Sequence, residues 1–220
     1  MTTSQSELDY AHLRALMVDR HVAARGIADA SILQAMREVP RHLFVAPVVA
    51  SKAYGPNALP IGANQTISQP YIVARMIELL DLSGKEKVLE VGTGTGYQAV
   101  VLSKLASKVF SIERVSELAA RASELIRSLK ISNISVKVFD GTFGWSDQAP
   151  FDRIIVAAAA PEVPQPLVQQ LARTGIMILP IGSEKNQRLA RVRRVGTSVQ
   201  IEDCGGAEFV PLVGRFGWKE

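Results

Sequence analysis

Cysteine is nearly absent from these 220 residues; Cys204 stands alone. An intrachain disulfide is therefore excluded, and such sparing use suits a reducing compartment. Cys204 is also a poor candidate nucleophile, because Glu202 and Asp203 precede it and negative neighbours raise a thiol pKa. Histidine is scarce too: His12, His21 and His42 all lie in the first fifth of the chain. None has metal-ligand spacing to Cys or to an acid, so surface or helix-face roles and no metal site are expected. No apolar run approaches the roughly 20 residues that a membrane span needs. The start, Met1-Thr-Thr-Ser-Gln-Ser-Glu7, lacks the basic and apolar parts of a secretion leader. These absences predict a soluble, cytoplasmic chain with no membrane partner.

Strong charge of either sign is missing as well, the net charge being only +4. Part of that excess is Arg188, Arg191, Arg193 and Arg194. Such a cluster reads either as a nucleic-acid contact or as the solvent-facing edge of a late strand, with Leu189, Val192 and Val195 turned elsewhere. No aromatic residues interleave, which favours the second reading and no nucleic-acid partner. Apolar residues are plentiful at 47%, enough for a sizeable core. The length suits one large α/β domain and is too short for a dinucleotide domain plus a separate substrate domain.

Two helices are predicted first. Leu8 to Ala24 carries Leu13, Leu16 and Met17 on one face, with Gly26 as its cap. Asp29 caps the next, in which Ile32, Leu33, Met36 and Val39 recur at helical spacing until Pro40. Residues 51–68 read as a long loop rich in Gly, Pro and Asn, and a loop of that length is either disordered or functional. A helix follows over 69–80. Strands at 87–91, 109–113, 134–139, 151–158 and 176–181 then alternate with helices at 97–105, 117–129 and 165–173, the last ended by Gly175. This alternation predicts a doubly wound, mostly parallel sheet. The tail, 188–195, 198–201 and 208–213, reads as antiparallel strands. The expected organisation is one domain over 1–220, with a helical and loop extension (1–80) attached to an α/β core (81–220).

The most informative stretch is Lys87-Val-Leu-Glu-Val-Gly-Thr-Gly-Thr-Gly-Tyr97, a strand running straight into Gly92, Gly94 and Gly96. Glycines there let the backbone turn sharply and let a ligand approach closely, and the helix behind offers unpaired N–H groups. The plainer reading is a tight strand-to-helix turn without a ligand. A dinucleotide fingerprint fails from Gly92, although one can be forced from Gly94 with Ala99 in the last place. Glu90 would repel a pyrophosphate but suits the sulfonium and ammonium groups of S-adenosylmethionine. Glu113 ends the next strand, where it could accept from both ribose hydroxyls; taken alone it reads as a solvated strand-end acid. Asp140-Gly141 ends the third, where a carboxylate could accept from an adenine amino group. Glu90, Gly92, Thr93, Gly94, Thr95, Gly96, Glu113, Arg114, Asp140 and Gly141 thus form the candidate S-adenosylmethionine site. Ala157-Ala-Ala-Ala-Pro161 lacks the Asn or Asp followed by Pro-Pro-aromatic found in enzymes that methylate base amino groups, which argues against a base-modifying activity.

The run Leu59-Pro-Ile-Gly-Ala-Asn-Gln-Thr-Ile-Ser-Gln-Pro-Tyr71, the glycine turn, Asp140-Gly141, Ala158-Ala-Ala-Pro-Glu-Val-Pro164 and Phe209-Val-Pro-Leu212 together resemble the protein-L-isoaspartate O-methyltransferase family. The blocks extend in order from about residue 30 to 213. Phe139 and Ala157 depart from the family's commoner Gly and Thr. The resemblance implies transfer of a methyl group from S-adenosylmethionine to the free α-carboxylate of L-isoaspartyl residues in damaged proteins and peptides, leaving S-adenosylhomocysteine. The ester then closes to a succinimide. It implies Ser68 as the active-site serine, Thr66 and Ile67 beside it, and Val210, Pro211 and Leu212 flanking the substrate peptide. The residues alone leave Ser68 equally readable as the N-cap of helix 69–80. They leave 208–213 equally readable as an ordinary strand. An acceptor carboxylate is ionised at neutral pH and needs no general base, and no such constellation is found. Two other readings stay open. One is a methyltransferase for a small molecule or RNA; the other is a non-catalytic nucleotide-sensing or RNA-binding module. A monomer is the expected state.

Overall fold

The alternation after residue 81 builds a seven-stranded sheet in the computed structural model, which describes residues 5–183, 185–196 and 198–219. Residues 1–4, the start of the stretch read for a secretion leader, lie outside the described residues. The sheet's strands are β3 (Lys87–Val91), β4 (Lys108–Glu113), β5 (Ile134–Val138), β6 (Phe151–Val156), β7 (Leu171–Ser183), β8 (Asn186–Val195) and β9 (Ser198–Ala207). They lie in the order β5-β4-β3-β6-β7-β8-β9. Pairing is parallel from β5 through β7, and β8 and β9 close the sheet antiparallel. The order reverses between β3 and β6, so the chain leaves the ends of neighbouring strands in opposite directions. That reversal opens the crevice where α/β sheets bind ligands.

Pleat alternation divides the core between the two faces. Val88 of β3 and Val109 of β4 point to the face carrying α1 (Gln5–His21), α2 (Ala30–Glu38), α3 (Pro70–Leu79), α4 (Tyr97–Ser103) and α5 (Ser116–Ser128). Leu89, Val91, Phe110 and Ile112 point to the other face, with Leu167 of α6 (Gln165–Gln170). Each large apolar side chain buried this way contributes about 1.5–3 kcal/mol. Met17, Met36 and Met76 from the N-terminal helices lie in the first cluster, so the extension and the sheet share one core. Asp29 caps α2 as expected, accepting from Ser31 N and Ile32 N, a bond worth ~1 kcal/mol. The first helix ends earlier than periodicity suggested, at His21, and a 3-10 turn (Ala23–Arg25) intervenes before Gly26 caps with a φ of 100°.

Three further expectations are corrected. The stretch 51–68 is not a plain loop: β1 (Leu59–Gly62) and β2 (Gln65–Ile67) form an antiparallel hairpin, with Ala63 and Asn64 both at positive φ in its turn. Gly175 does not end a helix. The helix stops at Gln170, and β7 starts at Leu171, paired with Phe151 before an irregularity restores register at Ile176. The segment 208–213 is not a regular strand either; among the described residues its only pairings are isolated bridges, Ala159 with Pro211 and Val213 with Trp218. Proline has no N–H to extend such a ladder.

Two of the four arginines of β8 are engaged within the sheet. Arg188 faces Asp203 at 3.6 Å, and Arg194 donates to Leu171 O. β8 is an interior strand, and the edge belongs to β9. Val195 is exposed, whereas Leu189 and Val192 are buried. Burial first, then Glu202, pushes the Cys204 thiol pKa up. His42 is more than a surface residue. It stacks on Tyr10 at 3.9 Å and shares a 2.7 Å hydrogen bond with the Tyr54 hydroxyl. Burial, then Arg14, lowers its pKa. Among the described residues no helix is long and apolar enough to cross a membrane.

Candidate active site

A cleft of about 950 Å³, open to solvent, lies beyond the carboxyl ends of β3 and β4. Its wall begins at the glycine turn. Gly92, Gly94 and Gly96 have φ values of 96°, 55° and 89°, the left-handed region that only glycine enters freely. A side chain on Gly94 would also press on Ile61 of the β1–β2 hairpin, its Cβ lying 3.2 Å from Ile61 Cδ1. The turn and the hairpin are therefore close neighbours across the cleft.

Glu113 is the main anchor of that wall. It lines the cleft and is only 7% exposed, so it is no solvated strand-end acid. Its Oε2 accepts from Gly94 N at 2.8 Å and its Oε1 from Val115 N at 2.9 Å. One carboxylate thus fixes the turn and keeps lone pairs for a ligand hydroxyl. Thr93, Thr95, Arg114 and Gly141 line the same cleft.

Glu90 is placed differently from the sequence expectation. It is fully buried one residue before Val91 and does not line the cleft. Its Oε2 accepts from Ser111 Oγ, which also meets Thr93 Oγ1. Its Oε1 has no partner among the described residues. Burial, helped by the nearby Glu113 carboxylate, pushes its pKa up to about 8.

Asp140 is likewise turned from the cleft. It accepts from Thr142 N at 2.9 Å, from Thr142 Oγ1 at 2.7 Å and from Arg215 N at 2.8 Å. Phe216 N in turn reaches Thr142 Oγ1 at 3.1 Å. The carboxylate expected to meet adenine is therefore also a clasp for the C-terminal segment. Phe139 is exposed and packs on Phe143, which meets Phe216 edge-on.

The opposite wall is made by Thr66, Ile67 and Ser68 together with Val210, Pro211 and Leu212, all lining the one cleft. Ser68 does not cap the following helix. The N-cap of α3 is Gln69, where no side chain bonds the helix end. The hydroxyl of Ser68 is thus not spent on that role. Residues 209–218 cross beside it as a strap. Gln187 grips Phe209 in both directions, accepting from its N at 2.7 Å and donating to its O at 3.0 Å. Ala159 N donates to Val210 O, and Leu212 N donates to Ala159 O, both at 2.8 Å. Trp218 closes the strap, Nε1 to Ala159 O at 3.0 Å and N to Leu212 O at 2.8 Å. These bonds leave little free strand edge on the strap for a substrate backbone.

Sequence reasoning left several lining residues unassigned, notably Gln65, Tyr97, Gln98 and Ala158. Tyr97 and Gln98 directly follow the glycine turn, and that adjacency was the available signal. Chemically, the cleft joins a negatively charged, hydroxyl-accepting wall to a serine-bearing wall. Among the described residues, no group of three His, Cys, Asp or Glu is arranged to hold a metal.

Comparison with known proteins gives a consistent result. Residues 13–217 match the family model described as protein-L-isoaspartate(D-aspartate) O-methyltransferase. A protein-L-isoaspartate O-methyltransferase of Syntrophus aciditrophicus is 48% identical over 94% of this chain and 96% of its own length. One of Desulfosudis oleivorans is 47% identical, with both chains covered in full. A solved protein-L-isoaspartate O-methyltransferase superposes with a TM-score of 0.84 at 26% identity, covering 94% of this chain and 67% of that one. A putative one from Plasmodium falciparum, in complex with S-adenosyl-L-homocysteine, gives 0.75 at 26% identity, covering 90% and 96%.

Proposed function

The chain belongs to the protein-L-isoaspartate(D-aspartate) O-methyltransferase family, and from that premise we propose how its residues divide the work. The reaction is methyl esterification of the free α-carboxylate of L-isoaspartyl residues in damaged proteins and peptides, the first step of their repair. S-adenosylmethionine supplies the methyl group from its sulfonium and leaves as S-adenosylhomocysteine. The residues suit this cofactor: a cleft-lining carboxylate that accepts from backbone N–H groups and keeps lone pairs for ribose hydroxyls, and behind it a second carboxyl group with an unpartnered oxygen. Neither repels a cation, and the cleft-lining Glu113 carboxylate would repel a pyrophosphate.

In this reading Glu113 and the turn Gly92–Gly96 hold the nucleoside part, with Arg114 and Gly141 at its flank. Glu90 supplies negative potential to the cationic part. Asp140, turned from the cleft, holds the strap and the neighbouring Gly141 beside the adenine end. The acceptor carboxylate needs no deprotonation, so catalysis is positioning. Ser68 donates a hydrogen bond that fixes one acceptor oxygen. The hairpin, with Thr66 and Ile67, and the strap, with Val210, Pro211 and Leu212, cover the reacting groups and exclude water, which would otherwise blunt the nucleophile.

The single observation that carries this reading is the placing of Ser68, its hydroxyl not used by the helix, in the same cleft as the Glu113-anchored turn. We further read the chain as one functional unit over 1–220, monomeric, cytoplasmic, and without nucleic-acid or membrane partners. The engagement of Arg188 and Arg194 within the sheet supports the reading without a nucleic-acid partner. The decisive experiment incubates the protein with labelled S-adenosylmethionine and paired peptides differing only in aspartyl or isoaspartyl linkage. Label should enter the isoaspartyl peptide alone; equal labelling of both would overturn the assignment.

A further inference from the structure

The chain has seven phenylalanines. Phe44, Phe110 and Phe151 are buried and Phe209 is half-buried, whereas Phe139, Phe143 and Phe216 are 42%, 41% and 40% exposed. These three are neighbours. Phe139 and Phe143 lie 5.8 Å apart, ring centre to ring centre, and Phe143 meets Phe216 edge-on at 5.1 Å. Lys137 extends the surface, its Nζ 4.6 Å from the centre of the Phe139 ring and 5.2 Å from that of Trp145. Single exposed apolar residues are ordinary, but here every exposed phenylalanine joins one continuous surface, the mark of a contact site.

The surface borders the cleft. Phe139 and Phe143 stand two residues to either side of Gly141, and Phe216 stands three residues after Val213; Gly141 and Val213 both line the cleft. Three residues of chain span at most about 11 Å. Backbone bonds fix the rings there, since Asp140 accepts from Arg215 N and Thr142 Oγ1 accepts from Phe216 N. The strap, meanwhile, spends its backbone on Ala159, Gln187 and Trp218. A substrate chain leaving the acceptor site therefore meets few free backbone groups, and side-chain contact is what remains to hold its flank. We propose that Phe139, Phe143 and Phe216 form a second docking site for the substrate polypeptide, gripping an aromatic or large aliphatic side chain a few residues from the isoaspartyl residue. The occupant is the same polypeptide that enters the cleft, because the surface continues the strap that walls it. A damaged protein offers such a side chain where local unfolding has bared its core. The site thus favours isoaspartyl residues in opened segments over those in tightly folded loops. Phe139 stands where the family more commonly has Gly, so this ring is an addition of the present chain. The proposal rests on the substrate reading given above.

The test uses capped isoaspartyl peptides that differ only in carrying Phe or Ser about four residues from the isoaspartyl residue, a reach of roughly 13 Å, with one such pair for each side. The full chain is measured for peptide KM and kcat at saturating S-adenosylmethionine. Binding of the same peptides, fluorescently labelled, is followed by anisotropy at saturating S-adenosylhomocysteine. On one of the two sides, KM and Kd should be roughly 3- to 10-fold lower for the Phe peptide than for the Ser peptide. Phe143→Ser combined with Phe216→Ser should erase that difference while leaving kcat and the Ser-peptide KM within about twofold of wild type. Equal values for both peptides in wild type overturn the proposal without any variant, so a variant that fails to fold does not shield it. A preference that survives in the folded double variant also overturns it, by placing the side chain elsewhere. So does a wild-type dimer in sedimentation that the double variant abolishes with no flank preference in either protein, which gives the surface to a second copy. Failure of the substrate reading looks different: label then enters aspartyl and isoaspartyl peptides alike, or neither, and anisotropy decides the docking site by itself.

Discussion

Glu90→Gln tests the electrostatics of the cofactor half. In the folded protein the Glu90 pKa rises from 4.5 to about 8, chiefly because the group is fully buried. At 1.36 kcal/mol per tenfold change in proton affinity, that displacement is on the order of 5 kcal/mol. The sign follows from where the proton is held. Below pH 4.5 the carboxyl is protonated in both folded and unfolded chains, and its contribution to stability is fully present. As pH rises toward 8 the folded chain keeps the proton while the unfolded chain releases it, so stability falls through that window and levels off above it. Between pH 7 and 9 the remaining loss is on the order of 1 kcal/mol. Urea denaturation of the ligand-free protein at the two pH values should therefore show wild type losing roughly that much more than Glu90→Gln. If the cationic cofactor needs the ionised carboxylate, S-adenosylmethionine affinity should also tighten about tenfold over the same interval in wild type. The amide variant should bind more weakly and lack that dependence, the cofactor's own amine titrating alike for both proteins. Parallel pH profiles in stability and binding would refute the reasoning, because a carboxyl that folding holds neutral cannot follow the same profile as its amide.

Glu113→Ala should weaken S-adenosylhomocysteine binding by roughly 1.5–3 kcal/mol and, because Gly94 N and Val115 N lose their acceptor, should cost about 1–3 kcal/mol of stability as well. Calorimetry and urea titration check the two effects; normal affinity in a folded variant removes Glu113 from the site. Gly94→Val, strained by about 1–3 kcal/mol at a φ of 55° and crowding Ile61, should bind no cofactor. Ser68→Ala should keep S-adenosylmethionine affinity while losing one to three powers of ten in kcat. Its residual transfer should stay confined to the isoaspartyl member of a peptide pair, and wild-type turnover would leave Ser68 without a role.

The strands and helices of the core were legible because their signals are local. Val-Leu-Glu-Val before the glycines, or Ile32, Leu33 and Met36 after Asp29, declare their period within a few residues. The hairpin 59–67 was not, since strands of four and three residues joined through Ala63 and Asn64 are too short to show alternation. The end of α6 was misplaced because Leu171 leaves the helix to pair with Phe151, a partner 20 residues earlier in sequence. In the site, the positions of Glu113 and Gly94 could be named from the motif. Their bond to each other could not, nor could the burial of Glu90 or the diversion of Asp140 to Arg215, all set by packing between distant segments. Arg41 gave no sequence signal at all. Next to Pro40 it reads as a helix end, and only the fold brings its guanidinium to Ser68 O, 2.7 Å away.

The strap bears on how the protein is made. Every strand of the large sheet, the glycine turn and the hairpin is encoded before residue 208, while the strap that completes the serine-bearing wall of the cleft is encoded after it. The strap is held by Ala159, Asp140 and Gln187. A chain still emerging from the ribosome could therefore fold its sheet and bind cofactor while having no closed place for a substrate. A closed substrate cleft would therefore wait until residues 209–218 had been made and had docked on Ala159, Asp140 and Gln187.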